Sequence, residues 1–446
     1  MASSGWEPVA RLSVFYEDDG EAELVGGLAI DERGAVHFQY ERSWIETRRE
    51  LSPMRLPLRI DRDVVAAPDR RKLHGLHGLF ADSLPDAWGM RVLEIALRRH
   101  GTDPQRAGAL DRLSYLGART MGALTYRPAT DEPLGVARPS SLDRLAAQAE
   151  QVHEGTFAAE GDDTAATTSR KLTQSALDEL ERAAGSAGGA QPKVLVAVSP
   201  DGAGIVSGGE PPSGYTAYLL KFTPRRYGLG LRPDCGQLEH AFALMAHAAG
   251  VQMPRTKLFP TTDGRLHFGA ARFDRTVAGG RRHVHTFGGL MGREASDAGD
   301  YDELFRVTRA LTHDVRPLDE VVRRLCFNLA VLNDDDHLKN IAFLLDPSGE
   351  WRLAPAYDLT YSPSRGGERG MSVSGLEAGV SWRDVETLAA THGIRGVRTR
   401  EIREQVEASV DRWSQFAAEA HVPAASVAEL GDAFAVRRMQ LHRRST

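Results

Sequence analysis

The sequence predicts an α+β chain in two lobes, one strand-rich and one helical, with a smaller α+β domain ahead of both. Three observations carry this. The first 40 residues alternate apolar and polar positions as strands do, and a helical stretch follows. Short apolar runs separated by Gly/Pro-rich turns recur between about 190 and 275. From about 301 onward apolar residues recur at spacings of three and four, with one hairpin-like interruption. At 446 residues the chain is long enough for two or three domains.

The elements follow in order. Residues 11–17, 23–30 and 34–40 read as strands, with Asp18 to Gly20 as turn material. Residues 73–130 read as helical. Ser83-Leu84-Pro85 has the form of an N-cap with proline in the first turn, leading into DAWGMRVLEIALRRH. These make an N-terminal domain over 1–130. Residues 131–185 read as a linker with short helices: ATDEPLGVARPSS and EGTFAAEGDDTAATTSR are small and polar, and SLDRLAAQAEQVHE and SALDELERAAG flank the second of them. Residues 186–275 form the strand-rich part, with VLVAV, YTAYLLKF, TKLFP and GRLHFGAARFDR as strands and a helix over 236–247 stopping at Gly250. Residues 276–446 form the helical lobe. Its interruption, IAFLLDPSGEWRLAP, has a DPSG turn and reads as a hairpin, and residues 397–443 read as two helices broken near Val422-Pro423.

Composition narrows the function. Hydrophobic residues at 41% and charged residues at 26% describe an ordinary globular protein. A net charge of −6 excludes a polybasic nucleic-acid binder, so any DNA contact would need a local patch or a partner. The cysteines, Cys235 and Cys326, fit no disulfide framework or metal spacing and read as two buried thiols. The N-terminus has no basic segment leading into an apolar core, and no apolar run approaches about 18 residues. A cytoplasmic protein with no membrane role is expected.

The densest chemistry is NDDDHLKNIAF, residues 333–343. It follows a helical run, LDEVVRRLCFNLAVL, and leads into a strand. A generic helix-to-strand turn would use one Asp or Asn and a Gly, so this many ionisable groups imply a purpose. A hydrolase metal site would draw on Asp334, Asp335, Asp336 and His337. Adjacent side chains diverge, however, and no HExxH motif closes a shell; His283 and His285 are spaced HxH but stand alone. Phosphoryl transfer fits better. It needs an aspartate to orient the substrate hydroxyl, an asparagine five positions on for Mg²⁺, and a further metal aspartate downstream. Asp335 and Asn340 have that spacing, and the hairpin delivers Asp358. Hard oxygen ligands with phosphates and water suit Mg²⁺.

Upstream, GSAGGAQPK over 185–193 can bring backbone N–H groups close to phosphate, and Lys221 lies within a strand where an amine needs an anionic partner. The joint order is glycine loop, strand lysine, helix, D-x₄-N, hairpin, Asp. The loop is neither GxGxxG nor a Walker A loop, and it follows a helical stretch.

With these motifs the chain resembles the HipA family of serine/threonine kinases, the toxin half of bacterial toxin–antitoxin modules. The resemblance rests on S-x-x-G-A-Q-x-K from Ser186 to Lys193, LLKFTP with Lys221, ARFDR at 271–275, DDHLKN at 335–340 and APAYDLTYSP at 354–363; GLFADSLPDAWG at 78–89 resembles the preceding domain. It implies a two-lobed protein-kinase-like fold using ATP and Mg²⁺. Asp335 would be the catalytic base, and Asn340 and Asp358 the metal ligands. Lys221 would contact ATP phosphates beneath a loop of Gly188, Gly189, Ala190, Gln191 and Lys193. Ala271, Arg272 and Phe273 would form the adenine hinge, with His337, Lys339 and Tyr357 also lining the nucleotide site. Ser186 would be the autophosphorylated residue that switches the kinase off, since added negative charge repels ATP.

The resemblance also implies a dimeric helix-turn-helix antitoxin, HipB-like, through which operator DNA is bound. Some relatives carry a lysine-rich loop where this chain reads LEAGVSWRD. The implied substrate belongs to translation, such as an aminoacyl-tRNA synthetase. His283 and His285 fall near a loop that could position substrate. Two alternatives remain: a small-molecule phosphotransferase on a kinase-like fold, and a catalytically weak corepressor.

Overall fold

The computed structural model describes residues 7–443 apart from 19–20, 59–60, 62, 100, 129–136, 160–173, 187, 227–230, 277–278 and 365. Residues 19–20 of the turn expected at 18–20, most of the two polar stretches expected as linker, and Ala187 of the glycine loop therefore lie outside the described residues. The chain divides into two compact units, one of residues 1–231 and 260–284, the other of residues 232–259 and 285–446.

The first unit starts with an antiparallel sheet of β1 (Arg11–Asp18), β2 (Glu21–Ile30), β3 (Val36–Tyr40), β4 (Val65–Ala66) and β5 (Leu124–Arg127), in the order β4-β3-β2-β1-β5. Leu12, Val14 and Tyr16 of β1 are buried, the alternation that the sequence shows. Helices α1 (Arg42–Thr47), α2 (Gly78–Ala81), α3 (Ala87–Arg99) and α4 (Ala109–Leu116) complete this domain. On α3 the buried face is Trp88, Val92, Leu93, Ala96 and Leu97, a helical repeat. Ser83 does not cap α3, which begins at Ala87; its hydroxyl instead accepts a hydrogen bond from the Tyr126 hydroxyl at 2.7 Å.

A second sheet follows. β6 (Arg138–Pro139), β7 (Lys193–Val198), β8 (Ile205–Ser207) and β9 (Thr216–Lys221) are consecutive in the chain. After β10 (Thr256–Pro260) returns the chain to this unit, β11 (Leu266–Ala271) joins β9. The stretch expected as a linker contains α5 (Leu142–Ala159) and α6 (Gln174–Ala183), which pack on each other. Leu145, Ala149 and Leu180 are buried there, and the Glu179 carboxylate binds the Ser141 N–H at 2.9 Å. Within this unit the ARFDR segment ties the second sheet to the N-terminal domain. Asp274 is fully buried. It accepts from Gly122 N at 2.7 Å and pairs with Arg272 at 2.6 Å and Arg275 at 2.8 Å, while Arg275 also donates to the Thr120 and Gly122 carbonyls.

The second unit is built round a buried helix. α7 (Cys235–Ala248), α8 (Phe287–Met291), α9 (Tyr301–Thr312) and α10 (Arg316–Ala330) are followed by α11 (Trp382–Thr391), α12 (Gly396–Val410), α13 (Trp413–Glu419) and α14 (Ala424–Leu441). α10 packs against α9, α11, α12 and α14, and Leu318, Val322, Leu325, Phe327 and Leu329 are all buried. Its two inward arginines are satisfied: Arg324 pairs with Glu320 at 2.8 Å, and Arg323 donates to the Ala249 carbonyl at 2.7 Å. The C-terminal stretch makes three helices rather than two, with an extra break at Asp411-Arg412. Strand β12 (His283–Thr286) precedes α8, and β13 (Gly299–Asp300) precedes α9. β14 (Ala342–Leu345) and β15 (Trp351–Leu353) form the expected hairpin, with Gly349 at φ +85° in its turn; β16 (Met371–Ser372) pairs in parallel with β13.

Neither Cys235 nor Cys326 forms a disulfide. Burial pushes the Cys326 thiol up to about 12, whereas Cys235 is half-buried rather than buried. His283 and His285 are core residues, and His283 Nε2 lies 3.0 Å from the Leu51 carbonyl, so neither offers a ring to substrate.

Asp274→Ala leaves two buried guanidinium groups without their carboxylate. It should lower the urea unfolding free energy by roughly 3–5 kcal/mol. The paired guanidinium groups overcome desolvation and hold the Asp274 carboxyl well below the usual carboxylate range. Its stabilising contribution is therefore complete above about pH 5 and is lost only in strong acid. Urea titrations of both proteins at pH 7 and pH 3 check magnitude and sign.

Candidate active site

In the second unit the acidic loop leaves α10 and is pinned from several sides. Asn333 bridges in parallel to Ser362, Asp334 N–H donates to the Ser362 carbonyl at 3.0 Å, and Gly370 N–H donates to the Asp334 carbonyl at 2.8 Å. A short 3₁₀ turn, Leu338–Asn340, then closes the loop: the Asn340 side-chain Nδ2 donates to the Asp335 carbonyl at 2.7 Å. That bond spans the five-residue spacing and fixes the base candidate relative to the metal-ligand candidate.

The three aspartates have different environments. Asp334 and Asp336 are buried and share one cation, Arg369, whose side chain is 1% exposed. Arg369 pairs closely with Asp336 and reaches Asp334 at 3.4 Å. Burial works against its charge, yet the carboxylates more than offset this and raise its pKa. Asp336 also accepts from the Tyr301 hydroxyl at 2.8 Å, and Asn328 of α10 donates to that hydroxyl at 3.2 Å. Ser364 N–H donates to Asp334 at 3.0 Å. Asp335 is the exception, with a side chain 65% exposed. Desolvation by the surrounding loop raises its pKa; the His337 ring, 3.9 Å away, opposes the rise, and Asp358 and Asp336 add to it.

Asp358 lies past the hairpin with φ +54°, a left-handed backbone uncommon for a residue other than glycine. Asn333 Nδ2 donates to its carbonyl at 3.2 Å, tying it to the acidic loop. Asn340, Tyr357 and Asp358 line one cleft, with Asn333, Asp336 and Asn328 also in its wall. Tyr357 donates its hydroxyl to the Lys339 carbonyl at 2.7 Å, and His337 Nδ1 accepts from Lys339 N at 3.2 Å. The structure thus brings Asp335, His337, Lys339, Asn340, Tyr357 and Asp358 into one neighbourhood.

The remaining candidates lie in the first unit. Lys193 and Lys221 face each other in register on β7 and β9, both buried, and Lys221 Nζ is 5.8 Å from the Phe268 ring centre. Lys193 donates to the Gly188 carbonyl, and Gln191 Nε2 donates to the Phe222 carbonyl at 3.1 Å. Gly188, Gly189 and Ala190 are exposed, with Gly189 at φ +93°. Ser186 is only 3% exposed; its Oγ accepts from Met121 N at 2.6 Å, and its N–H donates to the Arg119 carbonyl. Ala271 ends β11 and Arg272 N–H donates to the Ala217 carbonyl at 2.8 Å, while the Arg272 guanidinium is committed to Asp274. Phe273 is half-buried.

Residues 185–413 match the family described as HipA-like C-terminal domain, and residues 13–127 match the HipA N-terminal domain. The chain belongs to the HipA family. Y4mE of Sinorhizobium fredii, named as a candidate kinase, is 27% identical over 371 residues. The match covers 79% of this chain and 77% of Y4mE. Y4dM of the same organism, named in the same way, is 30% identical over 159 residues, 32% of this chain and 37% of Y4dM. HipA in the Shewanella oneidensis MR-1 structure of HipA, HipB and operator DNA superposes with a TM-score of 0.65 over 96% of each chain, at 16% identity. At that identity the likeness is one of fold. The chain therefore has the mixed α+β, kinase-like fold of HipA and is a member of the HipA-like kinase family.

Arg369, Tyr301 and Asn328 escaped the sequence reading. Arg369 stands in a glycine-rich loop with no periodicity, and its only signal is that three adjacent acids require a buried cation. Arg369→Leu, leaving two buried carboxylates without it, should cost roughly 3–5 kcal/mol in urea unfolding. Asp335→Ala, at an exposed position, should change stability by less than about 0.5 kcal/mol. Equal losses in the two variants would show that Arg369 does not organise the loop.

Proposed function

We propose that the chain is an ATP- and Mg²⁺-dependent protein serine/threonine kinase. It acts as the toxin of a toxin–antitoxin module, modifies a protein of translation such as an aminoacyl-tRNA synthetase, and is switched off by phosphate on Ser186. The observation that carries this is the closed D-x₄-N loop: Asn340 holds the Asp335 carbonyl, the Asp335 carboxylate projects outward, and Asp358 lies on the cleft that Asn340 lines. Phosphoryl transfer asks mainly for positioning and charge compensation, and this loop is built for positioning.

Asp335 would accept or orient the substrate hydroxyl proton. The donor set fits Mg²⁺: one amide oxygen from Asn340 and one carboxylate from Asp358, with no cluster of three or more His, Cys, Asp or Glu that could hold a metal among the described residues. Such a set leaves coordination positions for phosphate oxygens and water, which Mg²⁺ prefers. Bound there, Mg²⁺ would neutralise developing phosphate charge. In the first unit Lys221, Lys193 and the backbone of Gly188, Gly189, Ala190 and Gln191 would serve the phosphates. The backbone of residues 271–273 would meet adenine, since the Arg272 side chain is already engaged. His337, Lys339 and Tyr357 would complete the nucleotide-side wall.

The partner proposal rests on the related HipA, crystallised with HipB and operator DNA. A HipB-like helix-turn-helix antitoxin would carry most of the DNA contact, in keeping with a net charge of −6. Among the described residues no helix is long and apolar enough to cross a membrane. We place the chain in the cytoplasm, with the translation apparatus.

Incubation of the purified chain with Mg·ATP, read by mass spectrometry, should show one added phosphate on Ser186. Asp335→Ala should slow its appearance by roughly 10²–10⁴-fold. Rapid ATP turnover on a sugar or antibiotic with no phosphoprotein would overturn the protein-kinase reading in favour of a small-molecule phosphotransferase. Absence of ATP binding would favour a corepressor. Lys221→Ala should weaken ATP binding about tenfold, one lost charge-assisted contact, and abolish growth inhibition at equal expression. Retained toxicity would remove Lys221 from the site.

A further inference from the structure

The segment DAWG at 86–89, in the N-terminal domain, has no place in the chemistry described so far. It grips the glycine loop. The Asp86 carboxylate accepts the Gly189 N–H at 3.1 Å. Trp88 N–H donates to the Gly189 carbonyl at 3.3 Å, and its indole Nε1 donates to the Lys193 carbonyl at 2.9 Å. Gly89 lies so close that a side chain there would stand 3.2 Å from the Gly185 carbonyl. Three residues at the start of α3 thus contact the loop at its beginning, middle and end. A second hold comes from Arg119 and Met121, which bind the backbone and hydroxyl of Ser186.

The loop's glycines are shaped by this grip. A Cβ on Gly188 would stand 2.6 Å from the Asp86 carboxylate oxygen, and one on Gly189, which has φ +93°, would stand 2.6 Å from Lys193 Nζ. Gly188 therefore allows the carboxylate to approach, and Gly189 accommodates the turn that presents its N–H to it. An isolated glycine loop is a poor phosphate cradle because ordering it costs conformational entropy on each binding event. Hydrogen bonds from a separate, folded domain remove that cost beforehand.

We propose that Asp86, with Trp88, is a positioning clamp through which the N-terminal domain presets the nucleotide loop. The proposal rests on the nucleotide-binding reading of that loop. Asp86 does not touch the reacting atoms; it fixes the backbone that would meet phosphate. The carboxylate oxygen matters as an acceptor, so an amide oxygen in its place should serve nearly as well.

Two readouts on the full-length chain test this separately. Hydrogen–deuterium exchange of residues 185–193 without nucleotide reports the clamp, and calorimetry with Mg·ATP reports the loop's use. Asp86→Ala should speed exchange across 188–189 and weaken ATP binding about tenfold, with the thermal midpoint nearly unchanged. Asp86→Asn should return both readouts to within about threefold of the parent chain. Exchange in Asp86→Ala matching the parent overturns the clamp, as does an Asp86→Asn chain as defective as Asp86→Ala. If the parent chain binds no ATP while Asp86→Ala still speeds exchange, the clamp stands and the nucleotide reading fails. Should Asp86→Ala not fold, Trp88→Phe keeps an aromatic ring of smaller size but loses the indole bond to the Lys193 carbonyl, and it decides by the same two readouts.

Discussion

One buried guanidinium holds the acidic loop together. Asp334, Asp335 and Asp336 are adjacent, and three like charges at the end of a buried helix repel one another and resist desolvation. Arg369 resolves this by sitting between the outer two, almost fully excluded from solvent. A planar fork suits that position better than an ammonium, because it can meet two carboxylates from one fixed plane. The arrangement costs desolvation and contributes specificity: with Asp334 and Asp336 turned inward, only Asp335 is left facing out. Asn340, Asp358 and the hairpin between them are placed relative to that one choice.

A second buried charge cluster does comparable work in the first unit. Asp274 with Arg272 and Arg275 joins the second sheet to residues 120–122 of the N-terminal domain. The same short stretch of the N-terminal domain binds Ser186. The ARFDR motif therefore reads differently in three dimensions: its backbone follows the end of β11, while its side chains form a structural tie. The glycine loop is hydrogen-bonded to the domain before it at Ser186, Gly189 and Lys193.

Much of this was legible in the sequence because it rests on local rules. Alternation located β1 to β3, Gly250 marked the end of α7, and DPSG marked the β14–β15 turn. Asp335 and Asn340 were legible because their separation is a chain distance, and the structure joins them by a hydrogen bond across that distance. What escaped depends on distant partners. Ser83 has a good capping residue's chemistry but was claimed by Tyr126, 43 residues away. His283 and His285 looked available because no local pattern shows that a strand is buried. The break at Asp411-Arg412 has no glycine or proline to announce it, and the short helices expected in the linker are α5 and α6, which pack on each other, with α6 also against α3, β7 and β8. Arg369 could be found only by asking what neutralises the acids, a question of charge rather than of pattern.

The burial of Ser186 has a consequence in time. Its hydroxyl accepts the Met121 N–H, and its backbone N–H is held by the Arg119 carbonyl. A phosphoryl group carries about two negative charges and needs several donors, so it has no seat there. A modified serine that has left this place would have no route back while the phosphate remains. The state of such a chain would then record a past event rather than present conditions. Its lifetime would be set by whatever removes the phosphate, not by the concentration of ATP.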